Sequence, residues 1–172
     1  MKTGQVRIRA IRPSDEQALR DGFQRLSIET IRQRFFAPVR ELTVEMAHHF
    51  ANVDHVSRGA LVAETDLCGL VGVARYEPSD ELGIVEIAVV VADDWQNRGI
   101  GRRLLQAILE AAQVNGIRQF RADVLAENYR MLHLLSTNTA VLKKRTQSGI
   151  TTLFFSYLAA TNSPEACAFA ST

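Results

Sequence analysis

The length, composition and charge of this chain exclude several broad classes of protein. Its 172 residues, 47% of them hydrophobic, suit one domain that buries roughly 70% of the surface of its unfolded chain. The formal net charge of +1 provides no overall field that would favour nucleic acid or an anionic membrane surface.

No apolar segment has the length or position of a signal peptide or a transmembrane helix. The two cysteines, Cys68 and Cys167, lie far apart, and neither has a histidine at a spacing typical of a metal site. We therefore expect a cytoplasmic protein with reduced thiols and no metal.

The chain begins with a predicted strand followed by a predicted helix. Residues 6–11 alternate between apolar and polar side chains, as a half-buried strand does. Pro13 and Ser14 follow, and Ser14 can form a capping box with Gln17 at the start of a helix.

Two further short helices are predicted before residue 51. Ser27 can cap a helix that runs to about Phe35, and Thr43 can cap another that runs to about Phe50. Pro38 separates the two, because proline breaks a helix.

Short apolar runs replace the helical patterns after residue 59. Residues 60–63, 70–76 and 83–91 are rich in aliphatic side chains, and turn-forming residues separate them. This pattern predicts an antiparallel meander of three strands.

A long amphipathic helix follows a loop that contains two glycines, and Gly116 stands where this helix is expected to end. The apolar side chains that share one face of it are Leu104, Leu105, Ile108, Leu109 and Ala112.

The rest of the pattern predicts a strand over residues 120–125, a helix over 128–135, and two strands within 139–157 that are joined at 147–149. Residues 159–172 carry one charge and are rich in alanine, serine and threonine, which is typical of a flexible tail. We therefore assign the folded domain to residues 1–158.

The loop before the long helix has the features of an anion site. Its glycine-containing residues 99–101 would present free backbone N–H groups at the positive end of the helix. Two glycines alone would fit a tight turn equally well. The arginines favour an anion site. Without a bound anion, the positive charges of Arg98, Arg102 and Arg103 would each oppose the helix dipole at a cost of about 0.3–1 kcal/mol, whereas a bound anion would attract them.

Two other phosphate-binding loops are excluded by their spacing. The P-loop pattern G-x-x-x-x-G-K-[ST] is absent, and the third glycine of the dinucleotide pattern G-x-G-x-x-G would fall at Leu104.

Glu86 is the one charged residue in the apolar stretch 84–91. Desolvation there should raise its pKa towards the range of a useful general base. Alternatively, Glu86 forms a structural ion pair with an arginine such as Arg75.

Residues 89–105 resemble the acetyl-CoA-binding motif of the GNAT acetyltransferase superfamily. The family pattern is [QR]-x-x-G-x-[GA], and it matches Gln96 to Gly101. The resemblance extends over about residues 6–135. Within the superfamily, the sequence is most similar to the bacterial protein-lysine acetyltransferase branch, at residues 11–15, 34–36, 86–91 and 125–128.

The resemblance implies an α+β fold in which α-helices flank both faces of a twisted mixed β-sheet. It also implies an N-acetyltransferase that moves an acetyl group from acetyl-CoA directly to a protein lysine or a small-molecule amine. Two rival interpretations stay open: an acyl-CoA sensor without turnover, and an interaction subunit whose glycine loop is only a turn. A homodimer also stays open.

The resemblance further implies the roles of individual residues. Glu86 corresponds to the general base, and the backbone N–H of Val89 would polarise the thioester carbonyl. Asn128 corresponds to a residue that contacts the pantetheine arm, although it can equally cap its own helix. The cofactor-binding residues implied are Val89, Val91, Gln96, Arg98, Gly99, Ile100, Gly101, Arg102 and Asn128.

The sequence departs from the family at the acceptor end of the site. Leu135 stands where many members have a tyrosine that protonates the departing thiolate, and residues 136–139 replace a glycine-phenylalanine pair. Tyr129 lies on a different helical turn. Ser136, His133 or water could supply the proton, and a thiolate of pKa near 8.5 leaves readily without one.

The acceptor cleft of the resembled family would be walled by Arg32, Arg34 and residues 48–55. Within that stretch, His55 beside Asp54 could touch substrate, although an exposed loop pair is the commoner case. The neighbouring pair at residues 48–49 lacks a third ligand for zinc.

Overall fold

The computed structural model describes residues 4–158. The predicted tail and Cys167 lie outside the described residues. The described part contains seven strands and five α-helices: β1 Arg7–Ala10, α1 Glu16–Gln24, α2 Ile28–Phe35, α3 Val44–Ala51, β2 Gly59–Thr65, β3 Gly69–Pro78, β4 Ile84–Val91, α4 Ile100–Val114, β5 Gln119–Leu125, α5 Tyr129–Asn138, β6 Thr139–Gln147 and β7 Ile150–Tyr157.

All seven strands form one mixed sheet in the order β1-β2-β3-β4-β5-β7-β6. Strands β2 to β4 pair antiparallel, as the meander prediction requires. Strand β1 pairs antiparallel with β2 at one edge, and β5, β7 and β6 also pair antiparallel. The single parallel pair joins β4 to β5 in the middle of the sheet. Helix α4 is the crossover between these two strands, because parallel neighbours need a long connection.

Helices cover both faces of the sheet, as predicted. One core lies beneath α4 and α5, where Leu104 and Ile108 are fully buried among residues of β3, β4, β5 and β7. Helix α4 approaches β3 closely, because Gly72 has no side chain and a Cβ there would lie 2.9 Å from Leu104 Cδ1. The other core lies beneath α1, α2 and α3, and includes Leu19 and Phe23.

The predicted caps of the second and third helices are confirmed. The side chain of Ser27 accepts from Thr30 N, and that of Thr43 accepts from Met46 N. Across the described residues, no helix is both long and apolar enough to cross a membrane.

The predicted capping box at Ser14 and Gln17 is wrong. A short 3-10 helix, Pro13–Asp15, precedes α1, and the carboxylate of Asp15 accepts from Arg12 N at 2.8 Å. Arg9 also donates to Asp15 at 2.8 Å. An ionised carboxylate accepts hydrogen bonds more strongly than a serine hydroxyl does, so the chain turns at Asp15.

The last helix, α5, ends three residues beyond its predicted end at residue 135. Polar side chains after that point donate back to helix carbonyls: Thr137 to His133 O and Asn138 to Leu134 O, both at 2.7 Å. These side chains therefore bond to carbonyls of the helix itself, which is compatible with its extension to Asn138. Ser148 and Gly149 join β6 to β7 with positive φ, as a tight hairpin turn requires.

We expect Leu104→Ala to lower the free energy of unfolding by about 2–5 kcal/mol, because it opens a cavity where α4 meets β3. Urea denaturation measures this loss. Leu82→Ala is the matched control, since Leu82 is fully exposed in a turn and should leave stability almost unchanged. Equal losses in the two variants would contradict this description of the core.

Candidate active site

The sheet divides between β4 and β5. Parallel pairing covers three residue pairs and ends at Glu86 opposite Arg121. Beyond that point β5 continues to pair with β7, and β4 continues to pair with β3. We call the space between residues 87–91 of β4 and residues 122–125 of β5 the split.

Backbone donors of β4 face the split. Ala92 N donates to Val71 O on β3 at 2.9 Å, and the direction of the N–H groups alternates along a strand. The N–H groups of Val89 and Val91 therefore point away from β3 and into the split. Gln96 Nε2 donates to Val91 O at 3.1 Å from the same side.

A cleft of about 650 Å³ occupies the split and extends to the start of α4. It is bounded by α2, β4, the loop before α4, the second half of β5 and the first turns of α5. The predicted site residues that line it are Glu86, Val89, Val91, Gln96, Gly99, Gly101, Arg102 and Asn128.

The start of α4 has backbone donors without helical partners. Gly99 is the N-cap residue with φ of +74°, and no side chain caps the helix. The first helical hydrogen bond runs from Arg103 N to Gly99 O at 3.1 Å. The N–H groups of residues 100–102 precede that bond, so they are free to bind an anion at the positive helix end.

The three arginines near this helix end have different surroundings. Arg102 lines the cleft. Arg98 stacks over the ring of Trp95 at 4.9 Å, and Arg103 donates to Val6 O at 3.1 Å. The structure therefore brings one of the three guanidinium-bearing side chains to the cleft. The side chain of Ile100 is buried in the core, so only its backbone can reach a ligand.

The loop before α4 is fixed to α2 by hydrogen bonds that the sequence analysis missed. Asp93 accepts from Ser27 Oγ at 2.7 Å and from Thr30 Oγ1 at 2.8 Å. Gln96 donates to Thr30 at 3.3 Å and accepts from Arg130 of α5 at 3.3 Å. The sequence signal for this contact was the pair of hydroxyl residues Ser27 and Thr30, and the predicted helix cap already explained Ser27.

Asn128 caps α5, as one of its two interpretations predicted. Its side chain accepts from Met131 N at 3.1 Å. The same side chain is nine-tenths buried and borders the cleft. The capping role therefore leaves Asn128 adjacent to any ligand in the split.

Glu86 lies at the point where the sheet divides. No ion pair within residues 4–158 includes it. Arg75, its predicted structural partner, instead pairs with Glu77 at 3.0 Å and stacks over Phe50 at 4.2 Å. The structural alternative with Arg75 is therefore wrong.

The surroundings of Glu86 favour its neutral form. Glu86 is exposed to the cleft, but partial burial of its carboxyl still raises the pKa, and the charge of Asp123 raises it further, while Arg121 and Arg34 oppose the shift. Raising the pKa of a carboxyl makes its ionised form a stronger base. The direction of this shift is the one predicted from the sequence.

The other candidate residues lie outside the cleft or point away from it. Asp54 accepts from Ser57 Oγ and from the backbone N–H groups of Arg58 and Val56, which lowers the pKa of its carboxyl, and it does not orient His55. Neither His133 nor Ser136 borders the cleft, whereas the side chain of Leu135 is buried beside it.

The histidines of α3 contact neighbouring side chains. His48 contacts Glu16 at 2.8 Å, and His49 contacts Arg58 at 2.8 Å. Across residues 4–158, no group of three potential ligands could hold a metal ion.

Residues 17–137 match the model of the acetyltransferase (GNAT) family. The chain belongs to the GNAT acetyltransferase family. The match begins in α1 and ends in α5, so it includes every element that borders the cleft of this GNAT domain.

Two curated relatives are acetyltransferases. The chain is 32% identical over 132 residues to acetyltransferase PA5475 of Pseudomonas aeruginosa, which covers 75% of this chain and 71% of that protein. It is 29% identical over 136 residues to acetyltransferase Pat of Mycolicibacterium smegmatis, covering 78% of this chain but only 40% of Pat.

Solved structures share the fold. The GNAT domain of S. lividans PAT superposes with a TM-score of 0.79 at 29% identity, covering 89% of this chain and 91% of that domain. The Salmonella typhimurium acetyltransferase yncA, solved with acetyl-CoA, superposes with a TM-score of 0.70 at 20% identity and covers 94% and 99% of the two chains.

We expect the carboxyl of Glu86 to titrate above the ordinary glutamate pKa of about 4.3, because it is desolvated beside Asp123. Carboxyl ¹³C NMR of the free protein measures this. Glu45 is an internal control whose pKa is lowered by hydrogen bonds from its own backbone N–H and from Thr43. A Glu86 midpoint at or below that of Glu45 would contradict the description of this site.

Proposed function

We propose that this GNAT protein binds acetyl-CoA and transfers its acetyl group directly to an amine, with Glu86 as the general base. The observation that carries the proposal is one continuous cleft. It joins the free N–H groups of α4, the outward-facing N–H of Val89 and the unpaired carboxylate of Glu86. Anion binding, carbonyl polarisation and proton transfer would then take place in sequence along a single ligand.

The start of α4 is suited to the pyrophosphate of coenzyme A. Three unpaired N–H groups converge there, the helix dipole favours negative charge, and Arg102 adds a full positive charge. The acetyl-CoA bound by yncA, a protein of the same fold, supports this ligand.

The split is suited to the thioester. The N–H of Val89 would donate to the carbonyl oxygen, where negative charge develops as the amine attacks. Glu86, three residues earlier on β4, would accept the proton that the attacking amine loses. The departing thiolate needs little help, because its pKa of about 8.5 makes it stable near neutral pH. Transfer by this route forms no covalent enzyme intermediate.

The acceptor is a primary amine, either a protein lysine or a small molecule. The carboxylates of Glu29, Glu86, Asp123 and Glu127 border the cleft. Within residues 4–158, Glu86 is the one of these four without an ion pair, and its charge favours a cationic amine. The resemblance of residues 86–91 and 125–128 to the bacterial protein-lysine acetyltransferase branch supports an acceptor of the protein-lysine class.

A sensor that binds acetyl-CoA without turnover is the rival function. It is favoured by Leu135, which is buried where the resembled family often has an acidic hydroxyl group. Release of free coenzyme A in the presence of a panel of amines and lysine peptides distinguishes the two. Binding without acceptor-dependent release would support the sensor.

Coenzyme A should raise the melting temperature of the protein, whereas pantetheine, which lacks the pyrophosphate, should raise it far less. A concentration 100-fold above Kd corresponds to about 2.7 kcal/mol of stabilisation. Gly99→Asp should abolish this effect, because a carboxylate would replace the anion at the start of α4.

Gly116→Asp is the matched control for Gly99→Asp. Gly116 also has positive φ and open space around it, but it lies at the other end of α4, about 22 Å away along a helix of 15 residues. Equal loss of coenzyme A binding in the two variants, or equal affinity for coenzyme A and pantetheine, would contradict the anion site.

Glu86→Gln should lower turnover by about 10²–10⁴ at neutral pH and leave acetyl-CoA affinity intact, because it removes the base but keeps the size of the side chain. Steady-state kinetics and the thermal shift measure the two effects. Higher pH should restore part of the rate, since more acceptor loses its proton in solution. A stable Glu86→Gln variant with full turnover would remove Glu86 from the mechanism.

A further inference from the structure

Arg121 is the nearest neighbour of Glu86 on β5. The two residues are paired in the parallel register between β4 and β5, so their side chains emerge on the same face of the sheet. A guanidinium beside a carboxylate in this arrangement ordinarily forms an ion pair. Such a pair would lower the basicity of Glu86, because an opposite charge stabilises the ionised form.

The guanidinium of Arg121 is instead held by other carboxylates. Its Nη2 donates to Asp123 Oδ2 at 2.8 Å, and its Nη1 lies 3.5 Å from Glu81 Oε1. Asp123 is fixed in turn, because its Oδ1 accepts from Thr152 Oγ1 at 2.6 Å. Thr152 belongs to β7, which pairs directly with β5 at this position.

We propose that Asp123 is a positioning residue that holds the guanidinium of Arg121 away from Glu86 and so keeps the Glu86 carboxylate free to accept the amine proton. The inference rests on the proposed role of Glu86 as the base. Asp123 borders the cleft, but in this role it acts on Glu86 through Arg121 and not by contact with the reacting atoms.

The other charged residues around Glu86 do not perform the role of the contact between Asp123 and Arg121. Arg34 approaches from α2 and Glu77 from β3, and these two opposite charges act on Glu86 in opposite directions. On β5 the pair formed by Arg121 and Asp123 carries no net charge while it remains intact. Releasing Arg121 would therefore place an uncompensated cation beside Glu86.

A buried hydrogen-bond donor of Arg121 affects where the guanidinium would move if Asp123 no longer held it. Its Nε is buried and has no hydrogen-bond partner within residues 4–158. If Asp123 no longer held Nη2, the unpaired carboxylate next to the guanidinium would be that of Glu86. The buried donor favours this rearrangement, because an unsatisfied buried N–H is costly.

Asp123→Asn tests the proposal, since asparagine keeps the size of the side chain and can still accept from Thr152. We expect the acidic limb of the kcat/KM profile to move to lower pH by about one unit, with a lower plateau rate. The ionisation of the acceptor amine is common to all variants, so the difference belongs to the enzyme. The melting temperature is measured beside the kinetics.

Arg121→Met separates release of the arginine from simple loss of a negative charge. In a protein that already carries Arg121→Met, adding Asp123→Asn should move the acidic limb less than it does alone, because only the direct effect of the Asp123 charge on Glu86 is lost and no guanidinium is left to release. An equal shift with and without Arg121 would overturn the positioning role, as would an unchanged acidic limb in Asp123→Asn.

Failure of this inference is distinguishable from failure of the proposed function. If Glu86→Gln abolishes turnover while Asp123→Asn leaves the acidic limb in place, Glu86 is the base and the positioning role of Asp123 is wrong. If Glu86→Gln has full turnover, the base is another group and the positioning role is wrong with it.

Discussion

The separation of β4 from β5 after Glu86 is the constraint on which the rest of the site depends. Backbone donors and acceptors of a central strand are normally consumed by both neighbours, and leaving them unpaired is costly. Here β3 pairs with one edge of β4 along its length, while the other edge is free beyond residue 86. That free edge is the source of the donor that the proposed chemistry requires at Val89.

The elements around the split keep it open. Gln96 and Asp93 tie the loop before α4 to α2, and Gln96 also accepts from Arg130 of α5. Arg32 of α2 forms an ion pair with Glu127 at the end of β5. These contacts join both sides of the cleft to one helix, so the positions of α2, α4 and α5 are set together.

Fewer arginine side chains reach the cleft than the sequence suggested. The sequence placed three arginines at the start of α4, but Trp95 and the N-terminal strand region engage two of them. Free N–H groups and Arg102 provide the remaining attraction for an anion. At the other end of the cleft, Asp123 forms an ion pair with Arg121, and the carboxylate of Glu86 therefore has no ion-pair partner among the described residues.

Local patterns predicted most of the elements, and they failed where tertiary contacts decide. The α4 amphipathic face, the caps at Ser27 and Thr43 and the hairpin turn depend on neighbouring residues, so they could be read from sequence. The neighbour of β4 could not, since strand order depends on distant pairing. Arg121 and Asp123 therefore stood as two polar residues on one face of a predicted strand, with nothing to relate them to Glu86.

Hydrogen exchange at single amides tests the central claim most directly, because it reports whether the N–H of Val89 is free in the split. Without ligand, the Val89 amide should exchange much faster than that of Val90, whose N–H points to β3. Acetyl-CoA should slow Val89 selectively and leave Val90 unchanged. A Val89 amide that is as protected as Val90 in the free protein, or that acetyl-CoA does not slow, would contradict the account.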